Sequence, residues 1–166
     1  MIGVRRKFLV KTPFKWHTKF KLHRSDQYQV TKTLILVKGI YSLVKKATFD
    51  TPENGHCQTA LYSRYYDLEE RYPVYITAYE YYGMLDCRKD KTLDLCITNY
   101  LFQYGGTSFN LDVYSNALKD LAILSQDHQQ DRALPVFLDI EKEITGNHTY
   151  SNVALTSVRF PDDNND

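Results

Sequence analysis

Residues 14–23 read FKWHTKFKLH, and this stretch predicts the architecture more strongly than any other part of the chain. At the two-residue period of a β-strand, its aromatic and aliphatic side chains fall on one face and its cations fall on the other. The cationic face holds Lys15, His17, Lys19, Lys21 and His23. Same-face neighbours lie roughly 7 Å apart on a strand. The pattern therefore predicts a strand with a linear positive ridge, suited to a polyanion or an anionic surface.

Length and composition indicate an ordinary globular protein. The chain has 166 residues, of which 43% are hydrophobic and 25% charged, and this length predicts a single domain. We expect a basic N-terminal arm over 1–12, one domain over 13–160 and an acidic tail over 161–166. Three cysteines at irregular spacing favour reduced thiols and an intracellular location. No apolar run is long enough to cross a bilayer, so any membrane contact is expected to be peripheral.

Charge is divided unevenly along the chain. Residues 1–46 hold twelve Lys and Arg against one acid, a net charge of +11, whereas the remaining residues carry a net charge of −10. Such asymmetry indicates either a basic end that meets an anion or molecules that associate through opposite charges.

The spacing of apolar residues predicts two main helices in an otherwise β-rich chain. Asp26 and Gln29 resemble a capping box, and apolar residues then recur at helical spacing over about 27–46. A second apolar stripe follows Ser115 and predicts a helix over about 115–127. Residues 104–107 read YGGT, which predicts a tight β-hairpin. The predicted fold class is α+β with a mainly antiparallel sheet in a single domain.

Motifs of catalysis are not found in the sequence. A phosphate-binding glycine loop, a nucleophile elbow and a Cys-x-x-Cys pair are all missing. His56 and Cys57 are neighbours, but adjacent strand residues point to opposite faces, which favours a structural cysteine. Glu69 and Glu70 are interpreted as a solvated charged face. The sequence thus predicts no enzyme activity, no cofactor and no metal site.

Two sets of charged residues are candidate binding surfaces. Lysines also line edge strands simply for solubility, but the long basic region favours a polyanion-binding role. Three acidic residues alternate along a strand that is predicted near the C-terminus, and they indicate either self-association or cross-strand pairing inside one molecule. The polyanion-binding candidates are Arg5, Arg6, Lys7, Lys11, Lys15, His17, Lys19, Lys21 and His23, and the self-association candidates are Asp139, Glu141 and Glu143.

The order of elements resembles the matrix proteins of rhabdoviruses over about residues 15–160. The similar stretches read KWHTKFKLHRSDQYQVTKTLILVKGIYSLVKK, YSNALKDLAILSQDHQQ and VFLDIEKEITGNHTYSNVALTSVRF. The resemblance implies a non-enzymatic viral structural protein that binds itself, the nucleocapsid with its RNA and, peripherally, an anionic membrane. It further implies a location in the virion, the host cytoplasm and the inner membrane surface, and no small-molecule substrate. The long Lys-rich tail of animal members is reduced here to a dozen residues and a Pro-Pro-x-Tyr motif is missing, which fits a smaller plant-virus type.

Two other function classes stay open. A phage tail-tube-like ring protein would also assemble through charged edges, although the basic N-terminal region would then have no explanation. An enzyme of unknown class ranks third, and a deep pocket lined by polar groups would favour it.

Overall fold

The computed structural model describes residues 5–12, 25–37, 39–50, 58–86, 93–127 and 133–157. In these residues there are nine β-strands and four short helical segments, and the first five strands precede the first helix. The strands are β1 (Arg6–Val10), β2 (Ser25–Val37), β3 (Ile40–Asp50), β4 (Gln58–Tyr65), β5 (Pro73–Ile76), β6 (Leu95–Tyr104), β7 (Thr107–Tyr114), β8 (Ala122–Gln126) and β9 (Ile140–Glu143). The α-helices are α1 (Ala78–Asp86) and α2 (Asn152–Thr156), and two 3₁₀ turns lie at Asn116–Leu118 and His148–Tyr150.

The chain divides into two compact units. Unit 1 comprises Met1–Tyr28 and Ile97–Asn147, and unit 2 comprises Gln29–Cys96 and His148–Asp166. Within unit 1 the strand order is β6-β7-β8-β1-β9, and within unit 2 it is β5-β4-β3-β2. The strand pairs described within each unit are antiparallel. The predicted α+β class with a mainly antiparallel sheet is therefore confirmed, whereas the predicted domain boundaries at 12 and 160 stay a prediction.

Alternating side chains build the core of unit 1 on one face of its sheet. On β7, Phe109 and Leu111 are fully buried, while Ser108, Asn110 and Asp112 on either side of them are half-buried. This is the two-residue period of a strand with one face on a core. The core cluster consists of Phe8, Val10, Tyr100, Phe102, Phe109, Leu111, Ala122, Leu124 and Leu138. The opposite face of these strands is therefore available for polar residues.

In unit 2, helix α1 packs on one face of the sheet. Its one buried residue, Tyr81, packs with Ile35 and Val44 of neighbouring strands. The helix is short and mostly exposed, so this contact holds it in place. The other face of the same strands carries Lys32 and Lys45, which are Cα partners across β2 and β3.

The predicted helix over 27–46 is wrong, because the segment forms the β2–β3 hairpin. Gly39 has φ +77° at the turn, a left-handed conformation that reverses the chain. The flanking run VTKTLILV is rich in β-branched residues, which favour strands. A dense apolar run has no clear period, so helix and buried strand give similar patterns.

The predicted helix over 115–127 is wrong for a related reason. After Ser115 the chain makes only a 3₁₀ turn, and Asn116 has φ +59°, which does not continue as an α-helix. Ala122–Gln126 then form β8, a strand between two neighbours with every residue buried. Burial on both faces removes the alternation that identifies a strand. By contrast, the predicted hairpin at 104–107 is confirmed, with positive φ at Gly105 and Gly106.

Candidate functional site

A polar surface lies on the face of unit 1 that is opposite its core. Lys7 of β1 is the Cα partner of Ser125 of β8, and Ser125 is the partner of Asn110 of β7. Directly opposed residues in a sheet point to the same side, so these side chains form a row across three strands. One step along, Asp112 of β7 is the partner of Asn99 of β6.

A second lysine belongs to the same surface. Lys142 of β9 is the Cα partner of Leu9, which has the same orientation on β1 as Lys7. We use the name polar face for the residues Lys7, Asn99, Asn110, Asp112, Ser125 and Lys142.

Hydrogen bonds fix three side chains of the polar face relative to one another. The Asn99 amide nitrogen donates to the Asn110 side-chain oxygen and, at 2.7 Å, to Oδ1 of Asp112. Asn99 therefore bridges two residues that lie two positions apart on β7. An ordered amide and carboxylate cluster on the face that also carries Lys7 offers both donors and acceptors to an incoming polar ligand.

Backbone contacts also fix the position of Lys7. Its amide N–H donates to Thr145 Oγ1 at 3.0 Å, and its carbonyl accepts from the Ile144 amide at 2.8 Å. The neighbouring Phe8 is buried in the core. The strand can therefore not rotate Lys7 away without exposing Phe8 to water.

The predicted polyanion-binding residues divide between the two faces. Arg5 lies 3.9 Å from Asp127 in an exposed ion pair, next to the polar-face strands. Arg6 has the opposite orientation: its guanidinium lies 5.0 Å from the centroid of the Phe8 ring and donates two 3.2 Å hydrogen bonds to the Glu143 carboxylate. Lys11 is exposed, and its backbone N–H donates to the Asp139 carbonyl. The other five candidates, Lys15, His17, Lys19, Lys21 and His23, lie outside the described residues.

The acidic candidates are also resolved individually. Asp139 and Glu141 are exposed. Glu143 has partners inside its own chain, because it accepts hydrogen bonds from Arg6 and, at 2.9 Å, from the Thr145 hydroxyl. These hydrogen bonds, that of Arg6 above all, lower the pKa of the Glu143 carboxyl. Glu143 therefore pairs with a neighbouring strand of its own molecule, which is one of the two interpretations that the sequence left open.

A cluster in unit 2 was not predicted as a site. Glu70, interpreted as solvated, is instead held by Lys32 Nζ at 2.6 Å and by Lys45 Nζ at 3.5 Å. Burial alone would raise the pKa of the Glu70 carboxyl, but the two lysines and the hydrogen bonds from Lys32 and Asn152 lower it to about 2. The one signal in the sequence is a lysine inside the apolar run of β2, since a buried lysine needs an anion.

The described residues contain no group of three or more His, Cys, Asp or Glu that could hold a metal ion. The structure thus offers no protein cage for a metal among those residues, and we assign no chemical step to one. Nor is any described helix long and apolar enough to cross a membrane.

Comparisons with known proteins identify the fold. No protein-family model and no curated protein matches the chain. The crystal structure of the inorganic triphosphatase NE1496 is similar, with a TM-score of 0.59 and 16% sequence identity over 96% of this chain and 97% of that one. A second crystal structure, of the hypothetical protein NE1496, matches with a TM-score of 0.58 and 15% identity over 95% and 99% of the two chains. At such identities the likeness establishes a shared fold.

This whole-length match corrects the predicted function. The similar fold is that of an enzyme, which overturns both the resemblance to a viral matrix protein and the prediction of a non-enzymatic virion component. The predicted partners, namely nucleocapsid RNA, an anionic membrane and further copies of the chain without a small-molecule substrate, are overturned with it. The tail-tube alternative has no support either. The physical source of the error is residues 27–46, which form the hairpin β2–β3 and not the helix that the matrix layout requires.

Proposed function

We propose that the protein is a phosphohydrolase that binds inorganic triphosphate, or a similarly short polyphosphate, on the polar face of unit 1. The observation that carries the proposal is the array of two lysines, two asparagines, a serine and an aspartate on one face of a sheet. The fold likeness to an inorganic triphosphatase supports it. The predicted preference for an anion is retained, with a small anion in place of a polymer.

Each side chain has a chemical role in this proposal. Lys7 and Lys142 neutralise charge on the phosphate oxygens, and charge-assisted hydrogen bonds of this kind are the stronger ones. Asn110 and Ser125 offer amide and hydroxyl donors to the same oxygens. Asp112, held by Asn99, orients a water molecule and accepts its proton as that water attacks the terminal phosphorus. The new P–O bond forms as the bridging P–O bond breaks, which releases phosphate and diphosphate.

The experiment compares adjacent residues on opposite faces of β1. Phosphate release from inorganic triphosphate is measured with magnesium and with a chelator, and triphosphate binding is measured by calorimetry. Lys7→Gln removes a polar-face cation, and we expect it to weaken triphosphate binding about 10- to 100-fold, the value of a charge-assisted hydrogen bond. Arg6→Gln removes the same charge from the other face, and we expect binding to change by less than about twofold, as for an exposed ion pair.

Asp112→Asn separates binding from chemistry. We expect kcat to fall about 100-fold or more with a small change in KM, because the amide cannot accept a proton from water. The proposal is wrong if the wild-type protein neither binds triphosphate nor releases phosphate from it. Equal losses of triphosphate affinity in Lys7→Gln and Arg6→Gln would show that binding depends on the positive charge and not on the face of β1 that carries it.

A further inference from the structure

Two lysines of unit 2 face each other across a pair of strands. Lys32 and Lys45 are Cα partners, so their side chains leave the same face of β2 and β3. The side chain of Lys32 is only 8% exposed and that of Lys45 is 27% exposed. Like charges in directly opposed positions destabilise a sheet, and buried ammonium groups need an anion. A negatively charged group beside Lys32 and Lys45 is therefore needed to stabilise this part of the sheet.

Glu70, which lies outside these strands, supplies the negative charge. Its Oε2 accepts hydrogen bonds from Lys32 at 2.6 Å and from the Asn152 amide of α2 at 3.3 Å, and its Oε1 lies 3.5 Å from Lys45. Asn152 also donates to the Leu68 carbonyl at 3.2 Å. Two ammonium groups and an amide thus converge on one carboxylate. The same set of donors is suited to the oxygens of a phosphate.

The loop that delivers Glu70 has an organisation of its own. Asp67 accepts hydrogen bonds from the backbone N–H groups of Glu69, Arg71 and Tyr72. Glu70 has φ +60°, a left-handed conformation that residues with a side chain rarely adopt. The hydrogen bonds of Asp67 and the contact of the Glu70 carboxylate with Lys32 together hold this conformation.

We propose that Lys32, Lys45 and Asn152 form a binding site for a phosphate-sized oxyanion, and that Glu70 closes this site by occupying it as an internal ligand. This proposal does not rest on the triphosphatase proposal. Because Glu70 is tethered beside the lysines, it acts at a high effective concentration and excludes free phosphate from the wild-type site.

Glu70→Gly opens the site with little strain, because glycine adopts positive φ freely. The probe is inorganic phosphate, measured by calorimetry and by thermal unfolding against potassium chloride of equal ionic strength. We expect Glu70→Gly to bind one phosphate more per chain than the wild type. We also expect phosphate at about ten times its Kd to raise the Tm of this variant by about 3 °C or more beyond chloride.

Two variants control for phosphate bound elsewhere. Glu70→Gly combined with Lys32→Met is expected to lose the additional phosphate, whereas Glu70→Gly combined with Lys7→Gln is expected to keep it. The proposal is overturned if Glu70→Gly binds no more phosphate than the wild type, or if the Lys32→Met combination still binds it. If Glu70→Gly proves to be unfolded in chloride and stays unfolded in phosphate, the proposal is overturned as well, since phosphate would then not replace the carboxylate.

Discussion

Glu70→Gln is the perturbation that most directly measures what the buried carboxylate contributes to stability. Gln keeps the size of Glu but carries no charge, so it resembles a permanently protonated Glu70. Desolvation opposes ionisation of Glu70, but Lys32 and Lys45 prevail and lower its pKa from 4.5 to about 2. This difference corresponds to about 3 kcal/mol of unfolding free energy at neutral pH.

The sign of the pH dependence follows from the direction of that change. The folded-state pKa lies below the unfolded one, so the unfolded chain takes up the proton first as the pH falls. The contribution is fully present above about pH 4.5 and is lost as the pH falls towards 2. About 2 kcal/mol of it is lost by pH 3. The wild type and Glu70→Gln should therefore differ most at pH 7 and converge in acid.

Urea unfolding at pH 7, 5, 4 and 3, followed by fluorescence and extrapolated linearly to water, measures the difference at each pH. The control is Glu69→Gln, which removes the same charge from a neighbouring side chain that is 74% exposed. We expect Glu69→Gln to change stability by less than about 1 kcal/mol at every pH. A gap between wild type and Glu70→Gln that stays constant from pH 7 to pH 3 would refute the reasoning, because the carboxyl would then not titrate with the folded-state pKa given above.

Two further predictions test the core and the turns. Leu124→Ala should lower the free energy of unfolding in urea by about 2–5 kcal/mol, because its side chain is fully buried. Val136→Ala should lower it by less than about 0.5 kcal/mol, because Val136 is 86% exposed. Equal losses would show that Leu124 does not belong to the core. Gly105→Ala should destabilise the protein by about 1–2 kcal/mol, because Gly105 has φ +58°. Gly83→Ala within α1 should stabilise it by about 0.5–1 kcal/mol, because an added Cβ meets open space there. A gain in stability at Gly105 would contradict the assigned turn.

The sequence predicts those parts of the fold that depend on local chemistry. The alternation TSFNLDVY indicates a strand with Asn110 and Asp112 on one face, and the paired glycines before it predict the hairpin. Local patterns fail in β8, where burial on both faces removes the period. Local patterns also do not determine the register, that is, which residues of two strands are partners. Lys7 and Ser125 are 118 positions apart, and only the pairing of β1 with β8 makes them neighbours.

Register also explains why the uneven charge along the sequence was misleading. The first 46 residues carry a net charge of +11, yet Arg5 and Arg6 pair with Asp127 and Glu143 within unit 1, and Lys32 and Lys45 share Glu70 within unit 2. Each of these acids belongs to the later, acidic part of the chain. A segment can thus be strongly basic in sequence while its cations are neutralised locally in the fold.

The consequence is that net charge per segment is a poor guide to anion binding, and the local balance around each cation is a better one. Lys32 is the most buried cation described in an ion pair, at 8% exposure, but a carboxylate of the same unit already faces both Lys32 and Lys45. Lys7 lies in a row with Ser125 and Asn110, whose hydroxyl and amide offer donors, and the same face carries one carboxylate, that of Asp112. The proposal that substrate binds the polar face therefore depends on the set of donors around Lys7 and Lys142, and the Lys7→Gln variant tests it.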